Sequence, residues 1–228
     1  MLKFRLYNLF FYLSIFTSIF GCKKQDDSTI DKKTEYFGLE KGNFVEYEVT
    51  YMFHDSLLQK HDTIIYQLKT LIGDTILDNV GRVAREFHRF QRKNSSLPWE
   101  ETDIWTAIIV DNRAELVEEN QRKVKLIFMP TLEKVWDINA FNNIGTVDAF
   151  YSSIDESKTI NNLTFENTLT VEEENYKTLL ETRRKFEIYA KNIGMISKTY
   201  KNLQFKFGSS KPIKGEEYYF NVTNYGVE

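Results

Sequence analysis

The chain contains few of the residues on which several protein classes depend. Its 228 residues include one cysteine, three prolines and three histidines, and 30 Lys and Arg against 33 Asp and Glu leave a net charge of −3. A single cysteine excludes an intrachain disulfide framework and a four-cysteine zinc site. The near-neutral charge provides no field that would favour nucleic acid, so nucleic acid is not an expected partner. The hydrophobic fraction, 42%, is too high for a disordered chain.

Recognisable catalytic motifs are missing as well. The sequence has no Gly-x-Ser-x-Gly elbow, no phosphate-cradling glycine loop and no His-Glu-x-x-His helix. Acidic runs such as Glu100-Glu101, Glu118-Glu119 and residues 172–174 would in principle supply a glycosidase pair, although such runs are ordinarily solvated loops. An unrecognised hydrolase is therefore the least favoured of three functional hypotheses, of which the other two are binding or structural roles. No cofactor is expected.

The N-terminal residues are typical of an export signal. Lys3 and Arg5 precede fifteen uncharged residues, 6–20, which fit the apolar part of a signal peptide and are too few for a spanning helix of about 20 residues. Gly21 and Cys22 follow directly, and the arrangement resembles the lipobox of bacterial lipoproteins. The resemblance implies cleavage between Gly21 and Cys22 and acylation of Cys22. The acyl chains would anchor the protein in the outer membrane, so the membrane is an expected partner.

The segment after the predicted lipidation site is polar and changes from basic to acidic. Its first residues are Lys23, Lys24, Gln25, Asp26 and Asp27. This stretch resembles the surface-export signal of Bacteroidetes lipoproteins and implies display on the cell surface, with a periplasmic-facing location as the alternative. We expect a signal peptide at residues 1–21, a flexible tether at 22–35 and a single domain at 36–228.

Hydrophobic residues alternate with polar ones over most of the predicted domain. In residues 44–53, for example, Val45, Tyr47 and Val49 share one face, which is typical of a half-buried strand. Ten further segments are strand candidates: 62–72, 82–92, 103–110, 114–118, 123–128, 149–154, 163–171, 184–191, 195–200 and 216–223. About ten short strands predict a mainly β fold, an antiparallel sandwich or barrel-like sheet with few helices.

The segments between these strands carry turn signals. Gly73-Asp74, Asp111-Asn112 and residues 192–194 are predicted turns, and residues 208–215 are a predicted loop. The one helix candidate is residues 173–183, where Tyr176, Leu179 and Leu180 share a helical face.

Three segments resemble an uncharacterised family of Bacteroidetes lipoproteins. They are residues 36–47 (YFGLEKGNFVEY), 136–142 (WDINAFN) and 189–196 (YAKNIGMI). The likeness covers most of residues 36–200 and implies a secreted, mostly β lipoprotein domain without implying an activity. The leading hypothesis is thus a binding or structural module with a protein or glycan partner, and the alternative is a binder of a small ligand, lipid or glycan.

The tryptophans are the candidate ligand-facing residues. Trp99, Trp105 and Trp136 lie near predicted strand edges or loops, where exposed rings stack on sugars or line apolar pockets. The alternative is that these rings belong to the core.

Two further patterns contain an aspartate: a pair of His-Asp dipeptides and a set of Asp-Ser/Thr triplets. His54-Asp55 and His61-Asp62 flank a predicted hairpin turn, but a metal site needs three or four converging ligands, so no metal is expected. Four Asp-Ser/Thr triplets resemble the O-glycosylation acceptor of Bacteroidetes, with Ser28, Ser56, Thr63 and Thr75 as acceptors.

Overall fold

A computed structural model describes residues 31–228 and builds them almost entirely from antiparallel strands. A 3₁₀ helix, Thr34–Phe37, precedes twelve strands. They are β1 (Asn43–Asp55), β2 (Lys60–Leu77), β3 (Val83–Arg92), β4 (Glu100–Val110), β5 (Arg113–Glu118), β6 (Gln121–Ile127), β7 (Val135–Asp137), β8 (Asp148–Ile160), β9 (Leu163–Lys177), β10 (Glu181–Ala190), β11 (Gly194–Phe205) and β12 (Pro212–Val227). Residues 32–228 form one compact unit, which begins four residues before the predicted start of the domain at residue 36.

All twelve strands belong to one sheet whose two edges approach each other. Consecutive strands pair with each other, except for β6 and β7, which form the two edges of the sheet. Strand β1 also pairs with β12, which joins the two halves of the sheet. The Val124 N–H of β6 donates to the Ile138 carbonyl just after β7 (2.8 Å), and the Trp136 indole N–H donates to the Val124 carbonyl (3.1 Å). The Tyr151 hydroxyl donates to the Ile127 carbonyl (2.7 Å) and accepts from the Ile127 N–H (2.9 Å). The sheet is a nearly closed barrel, which confirms the predicted mainly β, barrel-like fold.

The 3₁₀ helix packs against the interior of this barrel. Tyr36 and Phe37 are buried in the larger of two apolar clusters, while Val45, Tyr47 and Val49 of β1 belong to the other. The period-two pattern of β1 thus marks the inward face, as expected.

A glycine permits the close approach of the helix to the barrel. Gly38 follows the helix with a φ of +64°, and a Cβ at this position would lie 2.6 Å from the backbone carbonyl of Ile193. Only glycine fits both the left-handed conformation and this contact with the β10–β11 turn.

All of the predicted strands are confirmed. Each of the eleven predicted segments coincides with a strand, and the three-residue β7 is the one that the sequence missed. The predicted turns at 111–112 and 192–194 join β4 to β5 and β10 to β11. Strand β12 already starts at Pro212, inside the predicted loop 208–215.

The helix candidate at residues 173–183 is not a helix. Strands β9 and β10 occupy the segment, joined by a turn in which the Thr178 hydroxyl accepts the N–H of Leu180 (3.2 Å). The apolar residues of the predicted helical face stay in water, since Tyr176, Leu179 and Leu180 are 43%, 71% and 51% exposed. Their helical spacing therefore does not mark a face that packs.

The turn predicted at Gly73-Asp74 is also wrong, because β2 continues through it. The register between β2 and β3 shifts between Ile72 and Thr75. A β-bulge explains the turn-like residues, since bulges favour the same residue types. Gly73 also leaves room for His88, whose Nε2 would lie 2.4 Å from an added Cβ.

Candidate functional site

A cavity of about 130 Å³ lies inside the barrel beside the 3₁₀ helix. Inward positions of neighbouring strands supply most of its wall, because alternate residues of a strand face the same side. Much of this wall is apolar, and its large side chains include Phe37, Val45, Leu68, Phe87, Leu116 and Phe220.

An aromatic pair and an arginine form one part of the wall. Phe87 of β3 and Trp105 of β4 are register partners whose rings stack with centroids 6.1 Å apart. The guanidinium of Arg89 lies 4.2 Å from the Trp105 ring centroid and 3.0 Å from the Asp103 carboxylate. The inward face of β3 therefore carries Phe87 and Arg89.

Another part of the wall is a network of buried charges. Glu187 of β10 accepts hydrogen bonds from Lys125 of β6 (2.8 Å) and from the Tyr189 hydroxyl (2.6 Å). Lys198 of β11 lies 3.0 Å from the same carboxylate, and Lys125 is 3.7 Å from Glu118 of β5. Strand β6 is far from β10 in the sheet order, so the Lys125–Glu187 contact crosses the barrel interior, whereas the other two contacts join neighbouring strands.

The network holds its charges against the effect of burial. Burial alone would raise the pKa of Glu187, but Lys125 and Lys198 outweigh it and hold that pKa well below its usual range. The same balance lowers the pKa of Glu118 to about 2. Burial opposes the charge of Lys125, yet Glu187 and Glu118 raise its pKa. These groups are therefore ionised at neutral pH.

One neighbouring carboxyl behaves in the opposite way. Burial, together with the charge of Glu187, raises the pKa of Glu173. Glu173 lines a second cavity of about 260 Å³, along with Lys125 and Glu187. Because Glu187 already accepts two hydrogen bonds and forms an ion pair with Lys198, it acts as a fixed ionised acceptor rather than as a free general base.

The three candidate tryptophans have different environments. Trp105 lines the 130 Å³ cavity. Trp136 is buried with its ring 4.9 Å from that of Tyr151, and the hydrogen bond of its indole makes it part of the core that links β7 to β6. Trp99 is half-buried just before β4, where the Arg92 guanidinium lies 4.0 Å from its ring centroid.

The two histidines that flank the predicted hairpin turn lie close together. His54 and His61 are register partners across β1 and β2, and their Nδ1 atoms are 3.1 Å apart. His54 Nε2 lies 3.3 Å from Glu217, while His88 is on β3 with Nδ1 2.5 Å from Glu101. Among residues 31–228, no group of three or more His, Cys, Asp or Glu side chains is arranged to hold a metal ion.

An open groove of about 650 Å³ lies between the β1–β2 hairpin and the β3–β4 loop. Tyr51, Tyr66 and Tyr218 line it together with Ile64 and other residues. The rings of Tyr51 and Tyr218 stack on each other at 4.5 Å, so each ring covers a face of the other.

Other predicted sites fall partly outside the described residues. Ser56, Thr63 and Thr75 are exposed, as O-glycosylation requires. The acceptor Ser28, the cleavage and lipidation positions Gly21 and Cys22, and the export signal of residues 23–27 lie outside residues 31–228. The structure therefore bears on three of the four glycosylation candidates and on none of the lipoprotein positions.

Sequence comparisons add no relative to this description. No protein-family model matches the chain, and no curated protein matches it. The described part of the chain has no helix that is long and apolar enough to cross a membrane. The cavity and its charge network are therefore the features on which a functional proposal rests.

Proposed function

We propose that the protein binds a small, mainly apolar ligand with one polar group inside its barrel. The observation that carries this proposal is the 130 Å³ cavity, which joins an apolar wall to a wall of buried charges. A ligand of mixed character would place its apolar part against Phe87 and Trp105 and its polar part toward Lys125 and Glu187. A solid interior would instead have favoured the interaction module.

The volume of the cavity limits the size of the ligand. An apolar cavity of roughly 150 Å³ accommodates benzene, so about 130 Å³ matches a single ring or a short aliphatic chain. A phospholipid or an oligosaccharide is several times larger. Size therefore favours a small ligand over the lipid and glycan hypotheses for this cavity.

The proposed location is the cell envelope. Cys22, acylated after removal of residues 1–21, would anchor the protein in the outer membrane, and residues 23–27 would direct it to the cell surface. Protease digestion of intact cells tests the surface location, because complete protection of the mature domain would contradict it. The intact mass of the same protein tests the acyl chains and the sugars proposed on Ser28, Ser56, Thr63 and Thr75.

A cavity-filling substitution tests the ligand proposal. Val45 is buried and lines the cavity, so Val45→Phe would place a ring inside it. We expect indole and p-cresol to bind the natural chain, as measured by calorimetry, and to bind the variant at least about tenfold more weakly.

Two controls complete the experiment. Val83 is 67% exposed, so Val83→Phe adds the same ring outside the cavity and should leave binding unchanged. A thermal unfolding curve of each variant shows that it is folded, and Leu116→Phe provides a second filling variant. Equal binding to the natural chain and both filling variants would contradict a ligand site in this cavity.

A further inference from the structure

Three neighbouring hairpins end at the same level of the sheet. Asp55 of β1 pairs with Lys214 of β12, Lys214 pairs with Gln204 of β11, and Gln204 pairs with Glu181 of β10. The turns β1–β2 (residues 56–59), β11–β12 (206–211) and β9–β10 (178–180) therefore lie side by side just beyond this row. Neighbouring turns are about 10 Å apart, since adjacent strands are about 4.8 Å apart. We call these three turns the hairpin tips.

Each hairpin tip exposes large apolar side chains. Leu57 and Leu58 are 96% and 62% exposed, Leu179 and Leu180 are 71% and 51% exposed, and Phe207 is 75% exposed. A single exposed apolar side chain is common on protein surfaces, but five on three adjacent turns form a patch that indicates an interaction site.

Lysines surround these apolar residues. The exposed lysines on or next to the hairpin tips are Lys60, Lys177, Lys206, Lys211 and Lys214. Two acidic residues stand at the same level, and both have local contacts. Asp55 accepts the N–H groups of Leu57 and Leu58 (both 3.0 Å), and Glu181 lies 3.7 Å from Arg183. The hairpin tips therefore present an excess of positive charge.

We propose that the hairpin tips dock on the surface of an anionic phospholipid bilayer. The leucines and the phenylalanine would enter the headgroup region, and the lysines would face the lipid phosphates. This contact belongs to the folded domain and does not depend on acylation of Cys22 or on the interior cavity.

The composition of the patch favours a bilayer over a protein partner. Cores of protein–protein interfaces are contiguous and depleted in lysine. Here the apolar side chains stand on separate turns, with lysines between and beside them. Basic residues flanking Leu and Phe are instead typical of segments that bind anionic membrane surfaces.

Another hairpin of the same barrel provides a matched control. The β2–β3 hairpin lies at the other end of the strands, and its Leu77 and Val80 are 68% and 71% exposed. Its charges pair with one another, since the Arg82 guanidinium lies 2.7 Å from Asp78. It thus matches the hairpin tips in apolar exposure but not in free positive charge.

Vesicle binding by unacylated protein tests the proposal. The chain from residue 22 to residue 228 with Cys22→Ser contains the whole compact unit and carries no lipid, and its intact mass should confirm that Ser56 bears no sugar. We expect sedimentation with vesicles of phosphatidylcholine and phosphatidylglycerol, weaker binding to phosphatidylcholine alone, and weakening by salt. Leu57→Ser/Leu58→Ser should reduce the affinity about a hundredfold, at roughly tenfold per leucine.

The matched variants separate a specific contact from general stickiness. Leu77→Ser/Val80→Ser should bind vesicles like the parent chain, and Lys206→Glu/Lys211→Glu should lose the preference for phosphatidylglycerol. The proposal is overturned if the parent chain binds neither type of vesicle. It is also overturned if Leu57→Ser/Leu58→Ser and Leu77→Ser/Val80→Ser have the same affinity for vesicles. It is also overturned if the hairpin tips instead hold two copies of the chain together, which sedimentation velocity would show as a dimer that Leu57→Ser/Leu58→Ser dissociates.

Discussion

Removal of one charge from the interior network should destabilise the whole domain. Glu187 is 4% exposed, accepts hydrogen bonds from Lys125 and Tyr189, and forms an ion pair with Lys198. Glu187→Gln keeps the shape of the side chain but leaves both lysines without their shared carboxylate. Loss of one partner of a buried ion pair typically costs about 3–5 kcal/mol. In a domain of this size, that loss lowers the melting temperature by about 10 °C.

Urea unfolding followed by tryptophan fluorescence and far-ultraviolet circular dichroism measures this loss. Glu48, which is exposed on β1, provides the control, and Glu48→Gln should leave the midpoint almost unchanged. A Glu187→Gln midpoint that equals that of the parent chain would refute the view that the network stabilises the barrel.

A double-mutant cycle tests whether the two sides of the barrel are energetically linked. Lys125→Met and Glu187→Met should each be destabilising, because each leaves the buried network of two lysines and two glutamates with one charge in excess. The double variant keeps Lys198 and Glu118, which compensate each other, so it should lose clearly less than the sum of the two singles. Additive losses would show that the contact across the interior contributes no coupling.

Three further outcomes follow from the same structure. The pKa of Glu118 falls from its ordinary 4.5 to about 2. The ionised carboxylate therefore stabilises the fold above about pH 4.5, and this stabilisation is lost as the pH falls through 2. Glu118→Gln should reduce the fall of the urea midpoint at acid pH. Tyr151→Phe removes the hydroxyl that satisfies both backbone groups of Ile127, and it should cost about 1–3 kcal/mol in urea unfolding. Gly38→Ala should lower the melting temperature by several degrees because its Cβ would meet the Ile193 backbone and φ is +64°.

Most strands of this barrel could be predicted because alternation survives in them. In β1, the residues on the face of Val45 are those that enter the core. The closing contacts could not be predicted, since the hydrogen bonds between Val124, Trp136 and Ile138 depend on where the two sheet edges meet. The three-residue β7 is too short to show a period.

The charged part of the candidate site was missed for a related reason. Lys125 alternates with Val124 and Leu126, so the sequence places it on the outward face. The register between β5 and β6 shifts between Ala114 and Glu115, and the bulge allows residues 124–126 all to be buried. A buried lysine inside a strand is recognisable only through its partner Glu187, which is 62 residues away in the sequence.

An unfilled cavity lowers the free energy of unfolding. The effect of filling it on stability and on binding therefore distinguishes a binding site from incomplete packing. An empty and wholly apolar cavity costs about 24 cal/mol per Å³, so about 3 kcal/mol is the upper limit for 130 Å³ with a partly charged wall. A larger side chain at Val45 or Leu116 would recover part of that stability if it fitted. Stability that is forgone at one position is typical of sites kept open for function. We therefore expect a filling variant to melt at a higher temperature and to lose indole binding, which would identify the cavity as a binding site. A variant that melts at a higher temperature but binds indole as before would identify the cavity as a packing defect.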